Sequence, residues 1–248
     1  MGPVSTTATT TTTDPHASWQ EWRRARTARV TGPQGDLALV RTEWVPGGAV
    51  PDRDAALAGQ PQTVTYTELT RKDIDTGEPE HGYRLWDSRS AAIRSYAGTP
   101  VFAYDPAWVV TAHFTPVSGD RTIPYEHIRD AGGTRDLVVP GDIAATIGGV
   151  EYTLSAFDDD GTLLLVFADP TNGSDDEDDR TYDSGRFLFV ERPAQTGTGE
   201  EADVVLDFNR AFVPPCGFSD QYNCPLPPRQ NRIAVPVRAG ERFVAHSA

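Results

Sequence analysis

The first regular pattern along the chain is a helical one. Trp19, Trp22 and Arg26 fall on one face at helical spacing. Asp14 can cap this helix, and Pro15 suits its first turn, where the missing N–H is not needed. The helix is predicted to run to Arg29, where Gly32-Pro33 stops it. The pattern then turns to strands. The run 37–45 reads as buried, 63–69 alternates, and 83–86, 108–114 and 143–147 are further candidates. The clearest unit is GVEYTLSAFDDDGTLLLVFAD. Val150, Tyr152, Leu154 and Ala156 alternate with Glu151, Thr153 and Ser155, the chain turns at 158–161, and 163–167 returns as a more buried strand. That is a hairpin. Segments 186–190, 204–208 and 232–237 complete a set of short strands, and 88–96 fits a short helix.

Many strands, few helices and no strand–helix alternation predict a mostly β fold, an antiparallel β-barrel or sandwich with one N-terminal helix. No repeat recurs at a fixed period. The loops 47–60 and 174–183 do not read as linkers, so 14–248 is expected to form a single domain. The threonine-rich start, 1–13, reads as disordered.

Composition narrows the classes. Apolar residues make up 38% of 248 positions, enough for a core. No run approaches the roughly 18 apolar residues of a membrane span. The first residues carry neither a basic nor an apolar segment, so no secretory signal is expected and the location is read as cytoplasmic. The net charge of -14 argues against nucleic acid and anionic membrane as partners. The run SDDEDDR, 174–180, lacks the ligand alternation and turn glycine of a calcium loop and reads as a solvated loop.

The segment 207–232, DFNRAFVPPCGFSDQYNCPLPPRQNR, is a different object. It is long for a connection, and such segments are functional or disordered. Phe208, Phe212, Phe218, Tyr222 and Leu226 give it apolar anchors. Pro214, Pro215, Pro225, Pro227 and Pro228 lower the entropy lost on ordering. A packed flap over one end of the sheets is therefore predicted. Its Asp207, Asn209, Asn223 and Asn231 suit backbone groups that no ladder serves.

The segments LDFNRAFVPPCGF and CPLPPRQNRIAVPVRAGE, with the weaker FAYDPAW, TYDSGRFLFV and WQEWRRAR, resemble a bacterial and archaeal family known as domain of unknown function 1684. The resemblance spans roughly 19–243. It implies a mostly β fold and supplies no activity. Val213 stands where the family has asparagine, and Gln230 stands where it has glutamate, so an acid or base at the latter position would be lost here. The run SDDEDDR resembles an insertion in the family's pattern.

Candidate chemistry centres on polar residues near strand ends. Cys216 and Cys224 lie eight positions apart. They suit buried packing, a disulfide, a nucleophile supported by a nearby positive charge, or, least well, a metal site, since neither CxxC spacing nor a histidine is present in the loop. His113 takes the opposite strand face to Trp108, Val110 and Ala112, and could face solvent or a lumen. Arg84 and Asp87 suit either a polar ligand or a strand-end ion pair. Asp105 is explained by an Asx turn before Pro106. If the sheets close into a barrel, Tyr182, Arg186, Asp207, Asn209, Arg210 and Cys216 could converge at one mouth.

The leading expectation is an enzyme of small molecules with its pocket under the flap, needing neither metal nor cofactor. Cys216, Asp207 and Arg210 are its catalytic candidates. Asn209, Tyr182, Arg186, Arg84, His113 and Asn231 are its substrate-binding candidates. Hydrolysis, isomerisation and cyclisation all remain open. The expected partner is a small-molecule substrate, with a homodimer left open. The alternative is a non-catalytic ligand-binding or structural β module whose flap seals the core.

Overall fold

The computed structural model describes residues 14–45, 48–117, 119, 121–191 and 201–247. The low-complexity start, 1–13, lies outside them. Helix α1 (Pro15–Val30) begins with the Asp14 carboxylate accepting from the His16 N–H at 3.1 Å. It buries Trp19, Arg26 and Val30. Next come β1 (Leu39–Trp44), the short α2 (Arg53–Leu57), β2 (Val64–Lys72) and β3 (Pro79–Asp87). These strands form a three-stranded antiparallel sheet in the order β1-β3-β2. Helix α3 (Ala91–Ser95) is capped by Ser90 and leads into β4 (Tyr96–Gly98).

The rest of the chain builds the main sheet and two small ones. Its strands are β5 (Val109–Pro116), β6 (Thr122–Glu126), β7 (Thr134–Val138), β8 (Gly141–Ile147), β9 (Val150–Asp159), β10 (Thr162–Phe167), β11 (Arg186–Val190), β12 (Ala202–Asp207) and β13 (Ala245–His246). Six of them form an antiparallel half-barrel in the order β11-β10-β9-β8-β5-β12. Strands β6 and β7 pair with each other, and β13 pairs with β4. The fold is mostly β and antiparallel, with one helix near the N-terminus. Among the described residues no helix is long and apolar enough to cross a membrane.

The predicted hairpin is β9–β10, and its turn is tighter than the predicted 158–161. Thr162 pairs with Asp159, leaving Asp160-Gly161 as a two-residue loop. Both residues have positive φ, 50° and 87°, the backbone that matches the twist of paired strands. Asp160 tolerates this conformation better than most side chains, and Gly161 adopts it without steric cost.

Alternation along the main strands sends one side chain in two to the concave face. Phe114, Ile143, Ile147, Leu154, Leu165, Leu188 and Leu206 meet there in one cluster. Strand β10 is apolar at every position from Leu163 to Phe167 because both its faces are covered. Leu163, Leu165 and Phe167 face the concave cluster, while Leu164 and Val166 pack against Trp86, Tyr125 and Phe212 on the other side.

The flap is ordered and packed, and it fills the half-barrel. Phe208 and Ala211 of the flap join the concave cluster, together with Ile233, Val237 and Ala239 of the segment that follows it. Phe212, Tyr222 and Cys224 join the second cluster, and Val213 and Phe218 pack with Val30 and Leu37 of the α1 side. Under Phe208 and Ala211 the space expected as a pocket is occupied by hydrocarbon, while a hollow of about 570 Å3 lies at the flap's other end, lined by Ile123, Leu226, Pro227, Pro228 and Gln230 among others.

Two strand expectations differ from the structure: the run 37–45 is buried only through Leu39, and segment 232–237 forms no strand. The latter makes a single bridge, Ala168 to Arg232. Pro236 has no N–H to offer, and side chains serve this segment in place of a ladder. The Ala234 N–H donates to the Tyr152 hydroxyl at 2.9 Å, and the Val237 N–H to Asp169 at 3.0 Å. The β6–β7 pair was not predicted. Pro124 in β6 and the polar sequence of β7 hide it, yet Tyr125 of β6 is fully buried.

Candidate functional site

The polar residues expected at one mouth occupy separate places, and each place has a structural explanation. Asp207 lies 3.1 Å from the Arg210 guanidinium, which also donates to the Ser18 hydroxyl of α1 at 2.8 Å. Asn209 is buried between them and the turn at Asp105. Its carbonyl oxygen accepts from the Asp105 N–H at 2.9 Å, and its amide donates to the Asp105 carbonyl at 3.0 Å. The indole of Trp19 donates to the Asn209 main-chain carbonyl at 2.9 Å. This cluster fastens α1 to the end of β12.

Arg186 has no exposed side-chain surface. It pairs with Asp169 at 2.8 Å and donates to the carbonyls of Val237 at 2.7 Å and Ala239 at 2.5 Å. Burial and the Asp169 charge act on its pKa in opposite directions, and burial prevails, lowering it. Asn231 is equally buried. It accepts from the Ser155 N–H at 2.9 Å and donates to the carbonyls of Ser155 and Val166 at 2.7 and 2.8 Å. It thus completes the hydrogen bonding where β9 and β10 diverge. Arg84 stacks over the Tyr222 ring, 4.9 Å from its centroid. His113 stands on the convex face, half exposed, 3.4 Å from both Asp203 and Glu201.

Arg26, Asp36 and Glu241 form a further buried network. The Arg26 guanidinium meets Asp36 at 3.1 Å and Glu241 at 3.3 Å, and donates to the Val213 carbonyl at 2.8 Å. Glu241 also accepts from the Val213 N–H at 2.9 Å. Burial raises the Glu241 pKa against the opposing pull of Arg26. Sequence spacing singles out neither Asp36 nor Glu241, because they come together only through the fold.

Of the predicted site residues, Tyr182 lines an open cleft and Cys216 stands next to it. The cleft, about 750 Å3, is lined by Arg180, Tyr182, Asp183, Gly217, Arg242 and Phe243, among others. The Tyr182 N–H donates to the Arg242 carbonyl at 2.7 Å, and Asn172 donates to the Tyr182 carbonyl at 2.9 Å. These bonds hold the ring against the flap. Gly217 makes the approach available: a Cβ there would lie 2.4 Å from Val213 and 3.2 Å from the Tyr182 ring. At the far edge of that ring the Tyr182 hydroxyl donates to Cys216 Sγ at 3.6 Å. Cys216 does not itself line the cleft; it stands behind Tyr182, partly exposed.

The second thiol completes the arrangement. The Cys216 N–H donates to Cys224 Sγ at 3.2 Å, and Cys224 is buried. Both cysteines are free. The Cys224 thiol and the Tyr182 hydroxyl both favour the Cys216 thiolate and lower its pKa, with burial opposing. Cys224 moves the other way, raised by its neighbour Cys216 and by burial. Burial and Cys216 also push the Tyr182 hydroxyl up, so it remains a donor.

The acidic loop 174–180 forms the cleft's outer wall. Arg238 grips Asp179 through two contacts of 2.6 Å, and the Arg242 guanidinium donates to the carbonyls of Glu177 and Arg180. The loop is therefore tied to the segment after the flap. Arg180 is half exposed and lies 3.8 Å from Asp183. Nothing in the local pattern foretold Arg180, Arg242 or Phe243 at this cleft. The one available sign was the position of Arg242 beside the AGE motif. Among the described residues no group of His, Cys, Asp and Glu side chains could hold a metal ion.

Comparison with known proteins gives three findings. A family model described as a protein of unknown function, DUF1684, matches residues 94–242, more than half of the chain but less than the 19–243 suggested by the motifs. The solution NMR structure of an uncharacterised protein from Haloarcula marismortui is 31% identical, covering 59% of this chain and 76% of that one, with a TM-score of 0.46. No curated protein matches.

Proposed function

The chain belongs to the DUF1684 family, and since that description carries no reaction, we propose from the site's geometry that it acts on small polar molecules held in the cleft, with Cys216 as nucleophile. One observation carries this reading. Tyr182 forms a wall of the cleft and its hydroxyl touches Cys216 Sγ at 3.6 Å. A thiolate is the reactive form of cysteine, and donors around it enrich that form. Arg180, half exposed at the cleft, offers its charge to an anionic or polar group of the ligand. Asp207 and Arg210 lie elsewhere and hold α1 in place. Their part in this reading is structural.

Native-state alkylation tests it. Iodoacetamide is expected to label Cys216 in the folded protein and to spare Cys224, with peptide mass spectrometry reading each site. Arg180→Ala is expected to slow labelling by anionic iodoacetate more than by neutral iodoacetamide. A Cys216 that reacts only after denaturation would overturn the proposal.

A second reading, a structural β module, is favoured by one specific observation. The flap's apolar side chains fill the half-barrel, and Asn209, Asn231 and Arg186 are engaged with backbone groups. Inert thiols in the alkylation experiment are the outcome that this reading expects.

A further inference from the structure

Asn209 and Asn231 of the flap are engaged with backbone groups, and the Tyr222 hydroxyl donates to Asp36 at 3.3 Å. Cys224 packs in the second cluster and its sulfur accepts from the Cys216 N–H, which sets the two thiols side by side. Resting on the reading that Cys216 is a nucleophile, we propose that Cys216 and Cys224 form a dithiol oxidised by hydroperoxides, with Cys216 attacking and Cys224 resolving.

The geometry supplies the parts that such a pair needs. The sulfur of Cys224 is already within 3.2 Å of the Cys216 main-chain nitrogen. The loop between them is fixed at both ends and in the middle. The Phe218 N–H donates to the Pro215 carbonyl at 3.0 Å, and the Ile128 N–H to the Cys224 carbonyl at 3.0 Å. Between them the Ser219 hydroxyl donates to the Leu39 carbonyl at 2.7 Å, and Gln221 accepts from the Thr42 N–H at 3.0 Å. The thiols are thus held together by a scaffold and do not depend on chance encounter. Their environments differ as the two roles require. Cys216 is partly exposed and surrounded by donors, whereas Cys224 is buried and keeps its proton. Low-pKa, accessible cysteines beside a resolving cysteine are the ones that oxidise reversibly.

The chemistry balances in two steps. The Cys216 thiolate attacks one oxygen of the hydroperoxide, an S–O bond forms and the O–O bond breaks. The departing hydroxide or alkoxide takes up a proton as water or alcohol. Sulfur is oxidised by two electrons to the sulfenic acid and the peroxide is reduced. Cys224 then attacks that sulfur, an S–S bond forms, the S–O bond breaks, and the hydroxyl leaves as water with the Cys224 proton. An external dithiol returns the pair to its reduced form by thiol–disulfide exchange.

The test uses the full-length reduced protein and a small excess of hydrogen peroxide. The expected product is lighter by two hydrogens, carries a linked Cys216–Cys224 peptide pair, and reverts with dithiothreitol. Cys224→Ser is expected to stop at the sulfenic acid, trapped on Cys216 by dimedone, and Cys216→Ser is expected to leave Cys224 reduced. Near-ultraviolet circular dichroism establishes that both variants are folded. If iodoacetamide labels Cys216 in the folded protein but peroxide leaves both thiols alkylatable after denaturation, this inference falls and the nucleophile reading stands. If peroxide drives Cys216 to sulfinic acid without linking it to Cys224, the resolving role falls. If neither reagent touches Cys216, both proposals fall together.

Discussion

Arg186 and Asp169 meet at 2.8 Å with neither side chain exposed to solvent. The pair joins the start of β11 to the turn after β10, and its guanidinium also holds the carbonyls of Val237 and Ala239. Removing one partner of such a pair leaves a charge stranded in the interior, which costs about 3–5 kcal/mol. Arg186→Met is expected to lower stability by that amount in urea unfolding. Adding Asp169→Asn is expected to recover part of the loss, because it removes the stranded carboxylate. Additive losses in the double variant would contradict the direct pairing.

Asn231 serves three backbone groups of β9 and β10 with one buried side chain. A buried polar group left unpaired costs about 1–3 kcal/mol. Asn231→Ala strands three of them and is expected to cost about 3 kcal/mol or more. Asn231→Asp keeps the shape but sets a carboxylate against two carbonyls, and is expected to be worse at neutral pH. The relative urea midpoints of the two variants check both statements.

His113 and His127 are expected to titrate on opposite sides of 6.5, the ordinary imidazole value. The Asp203 and Glu201 carboxylates raise His113. Its contribution to stability is complete below 6.5 and fades as pH rises through the higher folded value. Burial lowers His127, against the Tyr125 carbonyl and Asp130 and together with Arg135. Its contribution is present above 6.5 and is lost as pH falls through the lower folded value. Proton NMR titration reads both rings, and Asp203→Asn is expected to move only His113 back toward 6.5.

Tyr182→Phe removes the hydroxyl that touches Cys216 while retaining the ring against Gly217. The thiolate loses a donor, so alkylation of Cys216 at neutral pH is expected to slow severalfold, with thermal stability little changed. An unchanged rate would mean that the hydroxyl does not support the thiolate.

The elements legible in the sequence are those fixed by local chemistry. Asp14-Pro15 starts α1, and alternation with Asp160-Gly161 defines the β9–β10 hairpin. Pro-Pro-Cys marked a stiff, packed flap, and the flap is packed. What lies between it and the sheet was not legible, because an apolar anchor such as Phe208 reads the same whether it edges a cavity or fills one. Polar residues misled for a related reason. A long segment without a ladder leaves many backbone groups unpaired, and Asn209 and Asn231 are spent on them. Their composition resembles that of a ligand site because both tasks call for amides and charges. Asp36 and Glu241, the partners of Arg26, were invisible because their contacts with it depend on the completed topology. Tyr182 and Cys216, also distant in sequence, stand in motifs that the sequence singles out, and the fold brings the two into contact.

The clasp between Arg26 and Glu241 also sets a clock. The two residues lie 215 positions apart, so a ribosome adding about 5–20 residues per second needs roughly ten to forty seconds to deliver the second after the first. Throughout that interval the emerging helix has a guanidinium without its distant carboxylate, and until position 209 is made it also has an indole without the Asn209 carbonyl. A chain arrested before position 241 stays unlatched, and proteases and chaperones meet it in that state.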